Sequence, residues 1–215
     1  MSKVTAPLLS FGASGAIAKT QVYATWRGIP YVRRYVIPAN PRTMGQILTR
    51  NIFTGLELRW KQSGPLVREP WNRFAVGQKF VGRNAYIGKN ISILRPELEM
   101  ASYIGSPGAK GGLPATSMTV TGVPGGGLET VVVAPTPPLG WTLVAAVVSA
   151  LADQAPDAAV ADVIEEGEDL VAPYQVDFTG LPLVLHQVSA WLRWTKPDNS
   201  VAFGPSINAS GTPLI

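Results

Sequence analysis

The charge of this chain is divided along its length. Residues 1–110 hold 16 Lys and Arg against 4 Glu, a net of +12, whereas residues 111–215 hold only Arg193 and Lys196 against 10 acids, a net of −8. The overall balance of +4 conceals the division. Like charges repel within one compact body, so this pattern is expected from two domains with different partners, or from copies that meet head to tail. A length of 215 residues accommodates two domains of about 100 residues each.

Punctuation coincides with the charge break. Residues 106–114 (SPGAKGGLP) read as a Gly/Pro linker, which predicts a basic module over 1–105 and an acidic domain over 115–215. With 22 Gly and 19 Pro, about a fifth of the chain is turn-forming, above the usual ~12 %. That excess favours β structure.

Within the basic half, residues 8–18 (LLSFGASGAIA) are small and glycine-rich, suited to an extended arm. Residues 20–26 and 31–37 are rich in β-branched and aromatic side chains and read as a hairpin, with the four residues 27–30 (RGIP) as its turn. From Thr43 the period changes. Met44, Ile47, Leu48, Ile52, Leu56 and Trp60 recur at helical spacing, Thr43 and Gln46 form a capping-box pair, and Gly64-Pro65 ends the helix. A second helix is expected from Glu69-Pro70, with Trp71, Phe74 and Ala75 inward, and a short third over 84–90.

The acidic half reads as strand after strand: 117–123, 128–134, 141–151, 174–178 and 184–195. In the last, Val184, His186, Val188, Ala190, Leu192 and Trp194 alternate with Gln187, Ser189, Arg193 and Thr195, the pattern of a half-buried antiparallel strand. Six or seven strands without helices predict a β-sandwich. The fold class expected is therefore an α+β N-terminal module (arm, hairpin, two or three helices) followed by an all-β sandwich.

Motifs that would carry chemistry are fragmentary. There is no cysteine, which removes disulfides and thiolate chemistry. Residues 13–20 (ASGAIAKT) approach a phosphate-binding loop, but both glycines that let backbone amides curl around phosphate are alanine. Residues 12–16 miss the last glycine of a nucleophile elbow. His186, the single histidine, falls on the apolar face of a strand and reads as a packed residue rather than a general base. Asp162, Glu165, Glu166, Glu168 and Asp169 lack the spacing of a calcium loop and read as a solvated connection, or as the acidic partner of a basic surface on a neighbouring copy. No catalytic residue, metal ligand or cofactor site is expected. The N-terminus lacks the apolar run of a signal peptide, and no apolar stretch is long enough to span a bilayer.

The basic residues carry the strongest functional signal. Lys19, Arg27, Arg33, Arg34, Arg42, Arg50 and Arg59, with Tyr35, are the candidate interface set. Arg is favoured at protein interfaces, while Arg interleaved with Trp26, Tyr31 and Tyr35 also suits contact with a nucleic-acid backbone plus base stacking. Arg33 and Arg34 point to opposite faces of one strand, which favours the protein interface.

Residues 10–90 resemble a basic N-terminal module found in virion structural proteins of tailed bacteriophages. The resemblance is carried by FGASGAIAKT at 11–20, by Trp26-Arg27-Gly28, by YVRRYVIPANPRT at 31–43, then by Gln46, Arg50, Phe53, Trp60, Trp71 and Asn72. Family members often have Gly where this chain has Ala18. The acidic half is similar to fibronectin-III and other immunoglobulin-like modules, through Thr179-Gly180-Leu181-Pro182 before the strand at 184–195 and the hairpin at 197–206. His186 or Gln187 stands where such modules begin that strand with tyrosine. Together these resemblances imply a non-enzymatic structural component of a phage particle, made in the host cytoplasm and resident in the virion as capsid decoration or as a tail or neck protein. They imply docking through the N-terminal module, an exposed sandwich open to weak host-surface contact, and partners that are copies of the chain and other virion proteins. The alternative is a DNA-binding protein that uses the basic half.

Overall fold

The structure is a computed structural model of the chain and describes residues 2–3, 14–37, 39–97, 100–152 and 164–215. The chain forms two compact units, Met1–Arg42 and Thr43–Ile215. The break therefore falls before the helices, not at the expected linker over 106–114.

The first unit is a four-stranded antiparallel sheet. Strands β1 (Ser2–Lys3), β2 (Gly15–Ile17), β3 (Gln21–Trp26) and β4 (Ile29–Arg34) lie in the order β1-β4-β3-β2. Trp26 pairs with Ile29, so the hairpin turn is the two residues Arg27-Gly28 rather than the expected four. Both have positive φ, 49° and 79°, the conformation whose twist matches a hairpin. Pro30 is then a strand residue opposite Thr25. Next to the bonded pair that closes the turn, its missing N–H faces away from β3 and costs no ladder bond. The part of the expected arm that is described, Gly15–Ile17, is a paired strand; residues 8–13 lie outside the described residues.

The second unit opens with three helices, α1 (Met44–Gln62), α2 (Pro65–Ala75) and α3 (Gly82–Glu97). Thr43 is the N-cap of α1, but neither side chain of the expected capping box forms its bond; the Thr43 carbonyl accepts from the Gln46 and Ile47 amides instead. The second helix begins at Pro65, earlier than expected, because proline at the first helical position gives up only an amide that has no helical partner. Pro70 is accommodated inside it. The third helix is more than twice the expected length. Ile52, Leu56, Trp71, Tyr86, Leu94 and Tyr103 form the helical core, with Trp71 edge-on to Tyr86 at 5.4 Å and Trp60 tilted over it at 5.1 Å.

The rest of the chain is a β-sandwich. One sheet holds β10 (Tyr174–Phe178), β7 (Gly127–Val133) and β6 (Ser117–Val123), in that order. The other runs β5 (Pro107–Ala109), β12 (Val201–Pro205), β11 (His186–Thr195), β8 (Thr142–Ala152), β9 (Ile164–Asp169), and β13 (Ile207–Gly211) also pairs with β11. All pairings are antiparallel. Leu128, Val132, Val176 and Phe178 from the first sheet meet Ala146, Val148, Val188, Ala190, Leu192 and Trp194 from the second.

The larger sheet is covered on its other face too. Ala145, Val147, Trp191 and Phe203 pack against Val67, Leu66 and Phe74 of α2. Hence β11 is not half-buried as its alternation suggests: Gln187 and Ser189 are 8 % and 2 % exposed. The helices supply the second cover, and the near-continuous apolar run of β8 is the sequence mark of a strand buried on both faces.

The expected linker is part of this body. Asn90 Oδ1 accepts from the Ile104 amide at 2.8 Å, and its Nδ2 donates to the Tyr86 and Ile104 carbonyls. Trp71 Nε1 donates to the Gly105 carbonyl at 2.8 Å, Ser106 Oγ donates to the Gly204 carbonyl, and Asn208 Nδ2 donates to Ala101 and Tyr103. Residues 107–109 then form β5 on the sheet edge. Helices and sandwich are thus stapled through 101–109 by a set of buried and part-buried hydrogen bonds, which is the opposite of a flexible connection.

Candidate interaction surface

The basic residues are used in two ways, and the boundary at Arg42 separates them. Within the second unit most of the arginines serve the chain itself. Arg68 donates through Nε and Nη2 to the Trp60 carbonyl and through Nη2 to Lys61 (2.8–3.2 Å), closing the C-terminus of α1 where the helix dipole favours a cation. Arg83 pairs with Glu57, and Arg73 with Glu69 one turn away at 3.6 Å. Arg59 is fully buried. It therefore leaves the candidate interface set: its position one turn after Gly55 and Leu56 puts it on the inward face of α1. Arg50 is exposed and lines a shallow groove at the start of α1 with Thr43, Gln46 and Arg95.

The first unit has six cations (Lys3, Lys19, Arg27, Arg33, Arg34, Arg42) and no acid, so no ion pair can form within it. Lys19 sits in the β2–β3 turn, where Ala18 and Lys19 have φ of 45° and 53°. This turn leads into a strand rather than a helix, so the lysine is not part of a phosphate-binding loop. Arg27 occupies the β3–β4 turn with its guanidinium 5.0 Å from the centre of the Trp26 ring. Tyr35, half-buried, extends the ladder by donating its amide to the Thr20 carbonyl at 2.8 Å. Lys19, Arg27, Arg33, Arg34 and Arg42 are all exposed.

Register assigns the faces. Val22, Ala24, Trp26, Ile29, Tyr31 and Arg33 share one side of the sheet; Ile17, Gln21, Tyr23, Thr25, Val32 and Arg34 share the other. Among the described residues of this unit none is buried, and Trp26 is 64 % exposed. A sheet normally hides one face against another layer. This one carries aromatic and aliphatic side chains that no other described residue of the unit buries.

The acidic residues take roles that spacing does not reveal. The expected solvated connection is strand β9. Glu166 Oε2 accepts from the Val67 amide at 3.0 Å, capping the N-terminus of α2 from the sheet, and its carboxylate occupies the space beside Gly64. Glu168 pairs with Arg193 at 3.2 Å. Asp169 accepts from the Val171 and Gln175 amides, and the Gln175 bond foremost holds its carboxyl below the usual aspartate range. Asp162 lies outside the described residues. Glu129 on β7 and Asp177 on β10 are directly opposed across the ladder, both on the outer face, and Asp177 accepts from Gln175 Nε2 at 3.1 and 3.3 Å. Alternation along 174–178 puts Asp177 on the outward face, but its opposition to Glu129 exists only once the strands are in register.

His186 is 2 % exposed, with Nδ1 2.7 Å from the Val184 carbonyl. Among the described residues no three His, Asp or Glu are grouped as a metal site. No helix among them is long and apolar enough to cross a membrane. Burial raises the Tyr103 phenol pKa, and its hydroxyl lies 3.1 Å from that of Tyr86. Neither the protein-family models nor the curated proteins contain a match to this chain.

Proposed function

We propose that this chain is a non-enzymatic structural component of a tailed-phage particle, docked by residues 1–42 and presenting its sandwich outward. The observation that carries the reading is the sheet that has cations without acids and no buried side chain among its described residues. Such a small sheet is marginal on its own and gains a core only against another surface. The body that follows it is suited to being displayed, because the helices and sandwich are joined by buried and part-buried hydrogen bonds rather than a hinge.

The strand order supports an immunoglobulin-like reading of the sandwich, of the fibronectin-III type. β6, β7 and β10 correspond to strands A, B and E, and β8, β9, β11 and the bent β12–β13 correspond to C, C′, F and G. His186 begins the F-like strand and bonds the Val184 carbonyl, a local substitute for the tyrosine of such modules.

The test is quantitative mass spectrometry of purified particles, giving copies of this chain relative to the major capsid protein. Hundreds of copies identify a decoration protein, and about a dozen a tail or neck component. Absence from the particle overturns the reading. The second reading, DNA binding, is favoured by the same six cations and by the Arg27–Trp26 stack. It requires affinity that falls steeply with salt, by roughly 0.7–0.9 log units per phosphate contact for each tenfold rise in concentration.

A further inference from the structure

We propose that the basic sheet of one copy packs face to face on the outer surface of the three-stranded sheet of a second copy, with its arginines against the Glu129–Asp177 pair. The inference rests on the structural reading above and names the partner of the basic sheet: another copy of this chain.

Three observations lead to it. The first is the exposed face of the basic sheet, where Trp26, Ile29 and Tyr31 lie between Arg27 at the turn and Arg33 at the far end. The second is the outer face of the β10-β7-β6 sheet. There Val131 and Val133, the latter 48 % exposed, adjoin a row formed by Thr121, Glu129 and Asp177. The strands of this sheet contain no Lys or Arg. Like charges directly opposed across a ladder are destabilising, and a cation brought by a partner reverses the sign of that interaction. The third is that the first unit has six cations and no acid, so its charge complement must come from outside it. Glu129 and Asp177 offer that complement, with Asp177 also accepting from Gln175 Nε2 on its own strand.

The basic face thus has an apolar middle with Arg at each end, and the acidic face has Val131 and Val133 among Ser117, Thr119 and Gln175 with the Glu129–Asp177 row at one end. Two sheets packed about 10 Å apart interdigitate such faces. Because donor and acceptor surfaces lie on different units, the contact is heterologous. It closes into a ring or exchanged dimer, or propagates as a filament.

The experiment is sedimentation velocity of the full chain at 50 and 300 mM salt, with two double variants, Arg27→Glu/Arg33→Glu and Glu129→Lys/Asp177→Lys. The wild type is expected to self-associate, with affinity weakening about tenfold or more at the higher salt. Each variant alone is expected to lose association by at least about 100-fold, since reversal places like charges together. Mixed one to one, the variants present one intact and one charge-swapped pair of surfaces, both complementary, and association restored toward that of the wild type is expected. That outcome also shows both variants folded. A monomeric wild type overturns the proposal, as does association indifferent to both reversals, or a monomer that binds an oligothymidine strand instead. Particles that retain the Glu129→Lys/Asp177→Lys chain at full copy number separate the two ideas: the virion role then stands and the contact between copies falls.

Discussion

Gly64→Ala is expected to destabilise the protein, although the backbone at Gly64 suits alanine. Its φ of −82° lies in a region open to any residue. Elsewhere such a replacement stabilises by about 0.4–1 kcal/mol, through the unfolded chain. Here a methyl group would overlap Glu166 Oε1. The carboxylate must leave, and with it the bond to the Val67 amide at 3.0 Å. A hydrogen bond to a charged group contributes about 1.5–3 kcal/mol, and a carboxylate at a helix N-terminus adds about 0.3–1 kcal/mol through the dipole. Subtracting the alanine gain leaves a net loss of roughly 1.5–2.5 kcal/mol, or about 4–8 °C in Tm for a body of this size. The assay is thermal and urea unfolding of Gly64→Ala, Glu166→Ala and the double variant. In the Glu166→Ala background the same glycine replacement should turn stabilising, because nothing remains to be displaced. A coupling of about 2–3.5 kcal/mol follows. A Gly64→Ala protein as stable as the wild type, or an effect of the same sign in both backgrounds, would refute the capping geometry.

Asn90→Ala should cost about 2–4 kcal/mol, read as a fall in urea midpoint at constant m, because the fully buried Asn90 side chain no longer bonds Ile104 and leaves backbone groups unmet. Ala18→Gly should relieve a left-handed alanine at φ 45°. Set against the looser unfolded chain, the gain is about 0.5–1 kcal/mol, seen as roughly two- to fivefold slower amide exchange in the β2–β3 hairpin. Asp169 has its carboxyl lowered by the Gln175 and Val171 amides. Its contribution is therefore present above the ordinary aspartate pKa of about 3.9 and lost as pH falls through the lower folded value. Asp169→Asn should flatten that acid limb in a pH series of melting temperatures. Tyr103 is raised by burial, so its contribution holds below the ordinary tyrosine pKa of about 10 and is lost as pH climbs above it. Tyr103→Phe should remove that part of the alkaline destabilisation, and an unchanged alkaline limb would contradict it.

Much of the secondary structure was legible because it depends on neighbours in sequence. The helical spacing of Leu48, Ile52, Leu56 and Trp60 marked α1, and Ile52 and Leu56 are indeed its buried residues. The strands at 117–123 and 174–178 coincide with β6 and β10. Errors arose where a local signal had two meanings. Pro70 looked like a helix start, but Pro65 holds that place and Pro70 is tolerated within. Ile29-Pro30 looked like turn, yet the positive φ of Arg27 and Gly28 closes the hairpin in two residues. The Gly/Pro run at 106–114 looked like a linker, because composition does not register that Ser106, Ala109 and their neighbours are buried and bonded. Among the candidate interface residues, Arg59 was misread for the same reason: a buried arginine and a solvated one are spelled alike.

By itself the sequence determined the alternation of strands, the helical faces and the division of charge, since each depends only on the order of side chains along the backbone. It also determined that residues 1–42 contain cations without acids. Tertiary structure decided which of the remaining charges face outward. It turned Arg68 into a helix cap, Glu166 into the cap of another helix across 99 residues, and β11 into a strand covered on both faces. It also brought Glu129 and Asp177 into direct opposition. These outcomes depend on contacts between residues far apart in the chain, whose energies are set by distance and burial and therefore exist only once the layers have packed.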